Sequence, residues 1–127
     1  MPFRSDYFRI RMEREGRVIV LVRTEVPFPS LLAVRPAFEA MFAELDRLGR
    51  TGRGLLCDLR AAPGRNDAEF EKLMDDLRPS WLRSFKKVGV LVKSTVGALQ
   101  IRRYARTDGI ERLISSDESV LYDHLLS

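Results

Sequence analysis

Leu55-Leu56-Cys57-Asp58-Leu59, at residues 55–59, is a short apolar run that predicts a strand buried in the middle of a sheet. Residues 18–22 and 88–92 are rich in valine, isoleucine and leucine and predict two further buried strands. The segments between these runs are long enough to contain a helix each. Strands that alternate with helices in this way are typical of a parallel sheet with crossover connections.

The segment before the first buried run predicts an antiparallel hairpin. Residues 7–12 alternate between polar and apolar side chains, which is the pattern of a half-buried strand. Residues 13–17 are charged and contain Gly16, so they predict a tight turn. The turn is too short for a crossover, and residues 7–12 and 18–22 should therefore pair antiparallel.

Helical spacing of apolar residues predicts a helix after each of the three buried runs. Ser30 is the expected cap of the first helix and Gly49 its end, and Pro36 either belongs to the first turn or bends the helix. The second helix contains Pro79, which should kink or split it. Ser94 or Thr95 should cap the third helix, which ends at Asp108-Gly109.

The end of the chain predicts a short edge strand over Ile110 to Ile114 and a last helix from Asp117 to Leu126, capped by Ser116 or Asp117. The element order is then β-β-α-β-α-β-α-β-α. We predict a single α/β domain over residues 1–127, with a mixed five-stranded sheet, an N-terminal β-hairpin and a C-terminal helix.

Composition excludes several classes of protein. The 127 residues are 45% apolar and 31% charged, as in a globular domain, with a net charge of +4. Charges of both signs alternate along the chain, and only Arg102, Arg103 and Arg106 form a tight basic group, so we do not expect nucleic-acid binding. One cysteine, no signal-peptide pattern and no apolar run of membrane-spanning length favour a cytoplasmic protein.

The sequence contains no convincing catalytic or metal-binding set, so we expect no enzyme, no metal and no cofactor. His124 is the one histidine, with no ligand pattern around it. Cys57 lies inside a predicted buried strand, where a thiol usually acts as a small apolar side chain. Asp58 ends that strand, where α/β sheets place their sites, but it also suits a carboxylate that accepts amide hydrogens from the following loop.

Two loops after predicted parallel strands are candidate binding surfaces. The first is 61–67, where Arg65, Asn66 and Asp67 offer polar contacts, and the second follows residue 92 with Ser94 and Thr95. Each loop opens a helix, so it could bind an anion or a peptide at free backbone N–H groups. Helix capping alone would also explain these residue types.

Three aromatic residues suggest a ligand groove. Trp81 and Phe85 flank the predicted kink at Pro79, and Phe28 lies in a loop before the first helix. Together they would line an apolar groove for a small ligand, and packing in the core is the competing explanation.

The opening hairpin, the strand 55–59 with Asp58-Leu59, the loop that opens a helix, and the strand 88–92 with its helix resemble a STAS domain. This is the fold of anti-sigma factor antagonists and of sulfate-transporter tails, and the likeness is to the STAS/Sec14-like group of small bacterial proteins. It covers about residues 7–126 and is architectural. The resemblance implies a regulatory, non-catalytic domain, and relatives bind protein partners or are suspected of binding lipids or nucleotides.

The switch residue of the antagonists has no counterpart here. Their loop ends in an Asp-Ser-Ser-Gly stretch whose serine is phosphorylated, and the equivalent positions read Asn66-Asp67-Ala68-Glu69. The leading hypothesis is a protein-interaction module that uses residues 61–67, and a carrier of a small apolar ligand or lipid is the alternative. Both a monomer and a homodimer are compatible with the sequence.

Overall fold

The computed structural model describes residues 3–64, 67–94 and 109–127, and these residues form an α/β fold around one mixed sheet. Six strands follow one another across the sheet in chain order. They are β1 (Phe3–Arg4), β2 (Phe8–Glu13), β3 (Val18–Arg23), β4 (Gly54–Asp58), β5 (Lys87–Leu91) and β6 (Leu113–Ser115).

The five-strand prediction is wrong by one strand. β1 pairs antiparallel with β2, with Phe3 opposite Ile10 and Arg4 opposite Arg9. Two residues are too few to show the period-two pattern that reveals a strand in a sequence. The predicted edge strand over 110–114 also begins later, at Leu113.

The hairpin and the parallel core follow the sequence prediction. β2 and β3 pair antiparallel across a turn in which Arg14, Glu15 and Gly16 all have positive φ angles of 55°, 58° and 82°. β3, β4, β5 and β6 are then parallel neighbours. Val22, Asp58 and Leu91 lie side by side near the carboxyl ends of three of these strands.

The first helix, α1 (Val34–Leu48), follows a 3-10 turn at Leu31–Ala33. Ser30 precedes this turn but its side chain makes no capping hydrogen bond, so its predicted capping role is wrong. Pro36 is the third residue of α1 and lies in its first turn, where the missing N–H costs no helical hydrogen bond. Gly49 ends the helix with φ of 91° and donates its N–H to Leu45 O at 3.0 Å.

The second helix, α2 (Ala68–Leu82), is continuous through Pro79, so this proline does not split it. The last helix, α3 (Glu118–Leu126), begins after Asp117, whose carboxylate accepts the Ser119 N–H at 3.0 Å as a helix cap. The predicted helix after Thr95, which ends at Asp108-Gly109, falls on residues 95–108 and lies outside the described residues.

The central strands β3, β4 and β5 are covered on both faces of the sheet. One face packs against α1 and α2 and forms the larger core, which includes Phe8, Ile19, Leu21, Phe38, Met41, Leu55, Cys57, Leu77 and Val90. The opposite face packs against α3 through Val18, Val20, Leu56, Leu91, Leu121, Tyr122 and Leu125. Because successive side chains of a strand point to opposite faces, β4 supplies both cores at once.

A buried arginine joins the ends of α1 and α2. Arg50 is 4% exposed, and its Nε donates to Asp46 Oδ1 at 2.7 Å. Its Nη1 donates to the carbonyl oxygens of Trp81 at 3.0 Å and Arg83 at 3.2 Å. Carbonyls at a helix end lack partners within the helix, so these hydrogen bonds hold the two helix ends together.

None of the helices formed by the described residues is both long enough and apolar enough to cross a membrane.

The approach of α3 to the sheet gives a stability prediction at Gly54. A Cβ atom at this position would lie 3.1 Å from Cβ and Cδ2 of Leu125. Gly54→Val should therefore lower the free energy of unfolding by about 1–3 kcal/mol, because the valine side chain would be forced against Leu125 in a space that is already filled. Urea unfolding measures the change.

Gly64→Val is the matched control, because a Cβ there meets no atom within 4 Å. It should change the free energy of unfolding by less than about 0.5 kcal/mol. In a Leu125→Ala background, Gly54→Val should cost less than it does alone. An equal cost in both backgrounds would show that Leu125 is not the obstacle.

Candidate functional site

An apolar pocket of about 600 Å³ opens at the carboxyl ends of the parallel strands, on the face that carries α1 and α2. Its wall is built from both ends of α2, the loop before α1 and the strand ends of β4 and β5. The apolar lining residues are Pro27, Phe28, Pro29, Phe38, Cys57, Leu59, Ala62, Pro63, Phe70, Met74, Trp81, Leu82, Val90 and Val92. This edge of a parallel sheet is where α/β proteins commonly bind ligands.

Aromatic rings in contact form one side of the pocket. The Phe38 ring lies 6.2 Å from the Phe28 ring and 5.3 Å from the Trp81 ring, measured between centroids. Phe28 also contacts Tyr7, with centroids 4.5 Å apart. The structure therefore brings Phe28 and Trp81 to the same pocket through Phe38 of α1.

Phe85 lies elsewhere. It lines a separate groove at the amino end of β5, together with His124 of α3. Its ring lies 5.4 Å from the guanidinium carbon of Arg50, which is the arginine that joins the two helix ends. The three aromatic residues proposed as a groove are thus divided between two ends of the sheet.

The charged residues that line the pocket, among those the structure describes, are all basic: Arg23, Arg60, Arg78, Lys93 and Arg112. Arg78 pairs with Asp75 at 2.7 Å, and Arg60 pairs with Asp58 at 2.9 Å. An apolar pocket with this rim favours a ligand that carries negative charge.

Arg23 is the basic group with the most unusual surroundings. It is the last residue of β3 and only 8% of its surface is exposed. Its Nη1 donates to the carbonyl oxygens of Thr24 at 2.8 Å and Val26 at 2.9 Å, and more weakly to Tyr7 O at 3.4 Å. The guanidinium carbon lies 4.4 Å from the centroid of the Phe28 ring.

The remaining donors of Arg23 have no acceptor in the described part of the chain. No hydrogen bond leaves its Nε or Nη2, and no carboxylate pairs with it there. Burial lowers the pKa of Arg23, and the nearby Tyr7 opposes this shift. An arginine keeps its charge at neutral pH even so, because its ordinary pKa lies far above neutrality. The pocket therefore contains a buried cation without a counter-ion among the described residues.

A buried donor of a different kind belongs to Trp81. Its indole Nε1 is buried and has no hydrogen-bond partner within the part of the chain that the structure describes. Buried N–H groups are rarely left without an acceptor in folded proteins. Trp81 Nε1 is fully buried, whereas Arg23 Nε and Nη2 are not among the fully buried atoms. Of these two lining residues, Arg23 is therefore the one whose N–H groups can meet a ligand in the pocket.

The two groups that sequence reasoning weighed as reactive are both held in unreactive states. Burial raises the pKa of the Cys57 thiol to about 12, so it stays protonated at neutral pH. Burial alone would raise the pKa of Asp58, but hydrogen bonds from the side chain and backbone of Arg60 outweigh it and lower that pKa. Asp58 is thus a bound carboxylate whose oxygens are occupied by its neighbour.

The predicted binding loops are only partly described. Asp67 is exposed and caps α2, because its carboxylate accepts the Phe70 N–H at 3.1 Å. Ser94 lines the pocket. Arg65, Asn66 and Thr95 lie outside the described residues.

Sequence reasoning did not single out Arg23, although the pattern carried a signal. The side chains of β3 point alternately to the two faces of the sheet, and Ile19 and Leu21 both belong to the larger core. Period two places Arg23 on this same face, where an arginine is unusual. The continuous apolar character of residues 18–22 concealed which face the following residue would take.

Groups of three or more histidine, cysteine or acidic side chains that could hold a metal ion are not found in the described ranges.

The cap at Asp67 gives a prediction that separates stability from binding. Asp67→Ala should lower the free energy of unfolding by about 0.5–2 kcal/mol, because the Phe70 N–H loses its acceptor. Asp67→Ser should keep most of the stability, since serine also caps helices. Thermal unfolding of the three proteins measures this, and an unchanged stability of the alanine variant would rule out the cap as the main role of Asp67.

Comparison of the chain with protein-family models, with curated proteins and with solved structures gives no match.

Proposed function

We propose that this protein is a non-catalytic domain that binds a small, largely apolar ligand in the pocket at the carboxyl ends of β3, β4 and β5. The pocket itself carries this proposal: it is an open pocket of about 600 Å³ lined mainly by aromatic and aliphatic side chains. This volume lies within the range of about 300–1,000 Å³ that is usual for small-molecule sites. The few polar groups at its wall would orient a ligand, as they do in such sites.

Binding without catalysis fits the chemistry of the wall. The Cys57 thiol is protonated and the Asp58 carboxylate is held by Arg60, so neither is prepared to act as a nucleophile or a base. The basic groups of the pocket can attract and orient a ligand. They offer no group with an ordinary pKa near neutrality for proton transfer.

The pocket predicts saturable binding of small amphiphiles. A larger side chain in its wall should block this binding. Trp81 is the only tryptophan and lines the pocket, so its fluorescence should report ligand entry. Decanoate and decanol are suitable probes, and at least one should bind with one-to-one stoichiometry. Ala62→Phe should weaken that binding at least tenfold, because the larger side chain fills part of the pocket.

The neighbouring Ala61→Phe is the matched control, since Ala61 is exposed and does not line the pocket. It should bind the same probe with unchanged affinity. Native mass spectrometry of the purified protein gives a second readout through co-purifying ligands. Failure of both probes to bind the wild-type protein, with no co-purified ligand, would refute the proposed function.

A protein-interaction module of STAS type, bound through residues 61–67 and the helix that follows, is the second candidate. The exposure of Ala61, Gly64 and Asp67 supports it, because these residues are open to a partner. Ala62, Pro63 and Gly64 also line the pocket, so the loop touches both the ligand site and the surface. In this proposal a regulatory partner recognises the loop.

Charge and size changes on this surface test the second candidate. The double variant Ala61→Arg, Glu69→Arg should lose partners that the wild-type protein captures from its native host, because both residues are exposed beside the loop. Asp123→Arg is the control, since Asp123 is exposed on α3 at the opposite face of the sheet. Capture that is equal for all three proteins would exclude this surface.

A further inference from the structure

Building on the proposed function, we infer that the ligand carries one carboxylate group and that Arg23 binds it through Nε and Nη2. The ligand class is thus an apolar monocarboxylate. Its head group meets the buried guanidinium at the end of β3, and its apolar body occupies the aromatic part of the pocket.

The burial of Arg23 is the first support for a bound anion. The residue is 8% exposed and, within the described residues, has no acidic partner. A buried cation without a counter-charge is costly, and proteins usually pair it. An anionic ligand would supply the negative charge that the described residues do not place beside Arg23.

The hydrogen bonds of Arg23 determine which edge of the guanidinium can meet a ligand. Nη1 is directed to the backbone carbonyls of Thr24 and Val26. Those bonds fix the orientation of the planar group and leave the Nε–Nη2 edge, which has two parallel N–H donors. This fork matches the two oxygens of a carboxylate.

The contact with Phe28 does not replace such a ligand. The guanidinium carbon lies 4.4 Å from the ring centroid, which is a cation–π distance. The N–H groups lie in the guanidinium plane and still need acceptors. Phe28 therefore stabilises the charge and holds the plane, while the edge donors stay available.

A single carboxylate fits the charge of the pocket better than a phosphate. Arg60 and Arg78, which also line the wall, already pair with Asp58 and Asp75. Arg112, the other arginine of the wall, donates from Nε and Nη2 to Ile110 O. Lys93 is exposed at the rim, where solvent screens its charge. Arg23 is thus the buried cation for which the described residues provide no acid, and one negative charge balances it.

Matched ligand pairs test the inference on the unmodified protein. Decanoate and decanol differ only in the head group, and 4-phenylbutanoate and 4-phenylbutanol form a second pair with an aromatic body. We expect each carboxylate to bind at least tenfold more tightly than its alcohol, measured by Trp81 fluorescence and isothermal titration calorimetry at neutral pH. Decyl phosphate should bind more weakly than decanoate.

Two arginine substitutions assign the preference to Arg23. Arg23→Gln should remove most of the tenfold preference while the alcohols still bind, and Arg23→Lys should keep only part of it, because lysine lacks the fork. Arg47→Gln is the matched control, since Arg47 is exposed on α1 and does not line the pocket, and it should leave the preference unchanged. Far-UV circular dichroism confirms that each variant is folded, and the wild-type comparison needs no variant.

The outcomes separate the two proposals. Equal binding of carboxylates and alcohols by the wild-type protein would overturn the inference and leave the proposed function standing. Binding of neither class would overturn the proposed function itself. Tighter binding of decyl phosphate would reject the carboxylate assignment, and a full preference that persists in Arg23→Gln would reject the role of Arg23.

Discussion

Burial of β4 on both faces is the constraint on which the rest of the structure depends. Leu55 and Cys57 point into the core under α1 and α2, while Leu56 points into the core under α3. A strand of this kind has to be flanked by other strands and covered on both sides. The carboxyl end of β4, at Asp58, therefore lies between the ends of β3 and β5, and the pocket forms at that edge of the sheet.

Strong local patterns explain why much of the fold was predictable. The hairpin turn, the end of α1 at Gly49 and the cap of α3 at Asp117 each depend on a few neighbouring residues. A two-residue strand at Phe3 has no such pattern, because it exists only through its pairing with Ile10. Strand ends shifted by a residue for the same reason, since register is set by partners distant in the chain.

The candidate site was harder to predict because it combines residues from distant segments. Phe28, Phe38 and Trp81 come together only when the loop before α1 and the end of α2 meet above the sheet. Arg23 is distant in sequence from α2, whose residues line the same pocket. It stands out because its side chain is buried, and burial cannot be read directly from a sequence. The position of the site at the strand ends was foreseeable from the parallel order, whereas its chemistry required the side-chain contacts.

The short outer strands have a consequence for self-assembly. β1 contributes two residues and β6 three, so the margins of the sheet offer few unpaired backbone groups to another chain. Another strand could add to the sheet only by pairing with β1 or β6, and both are too short to support much pairing. Fibrils and edge-paired dimers form by such strand addition. If copies of this protein associate, helix surfaces or the exposed arginines of β2 are better placed to meet than the sheet margins are.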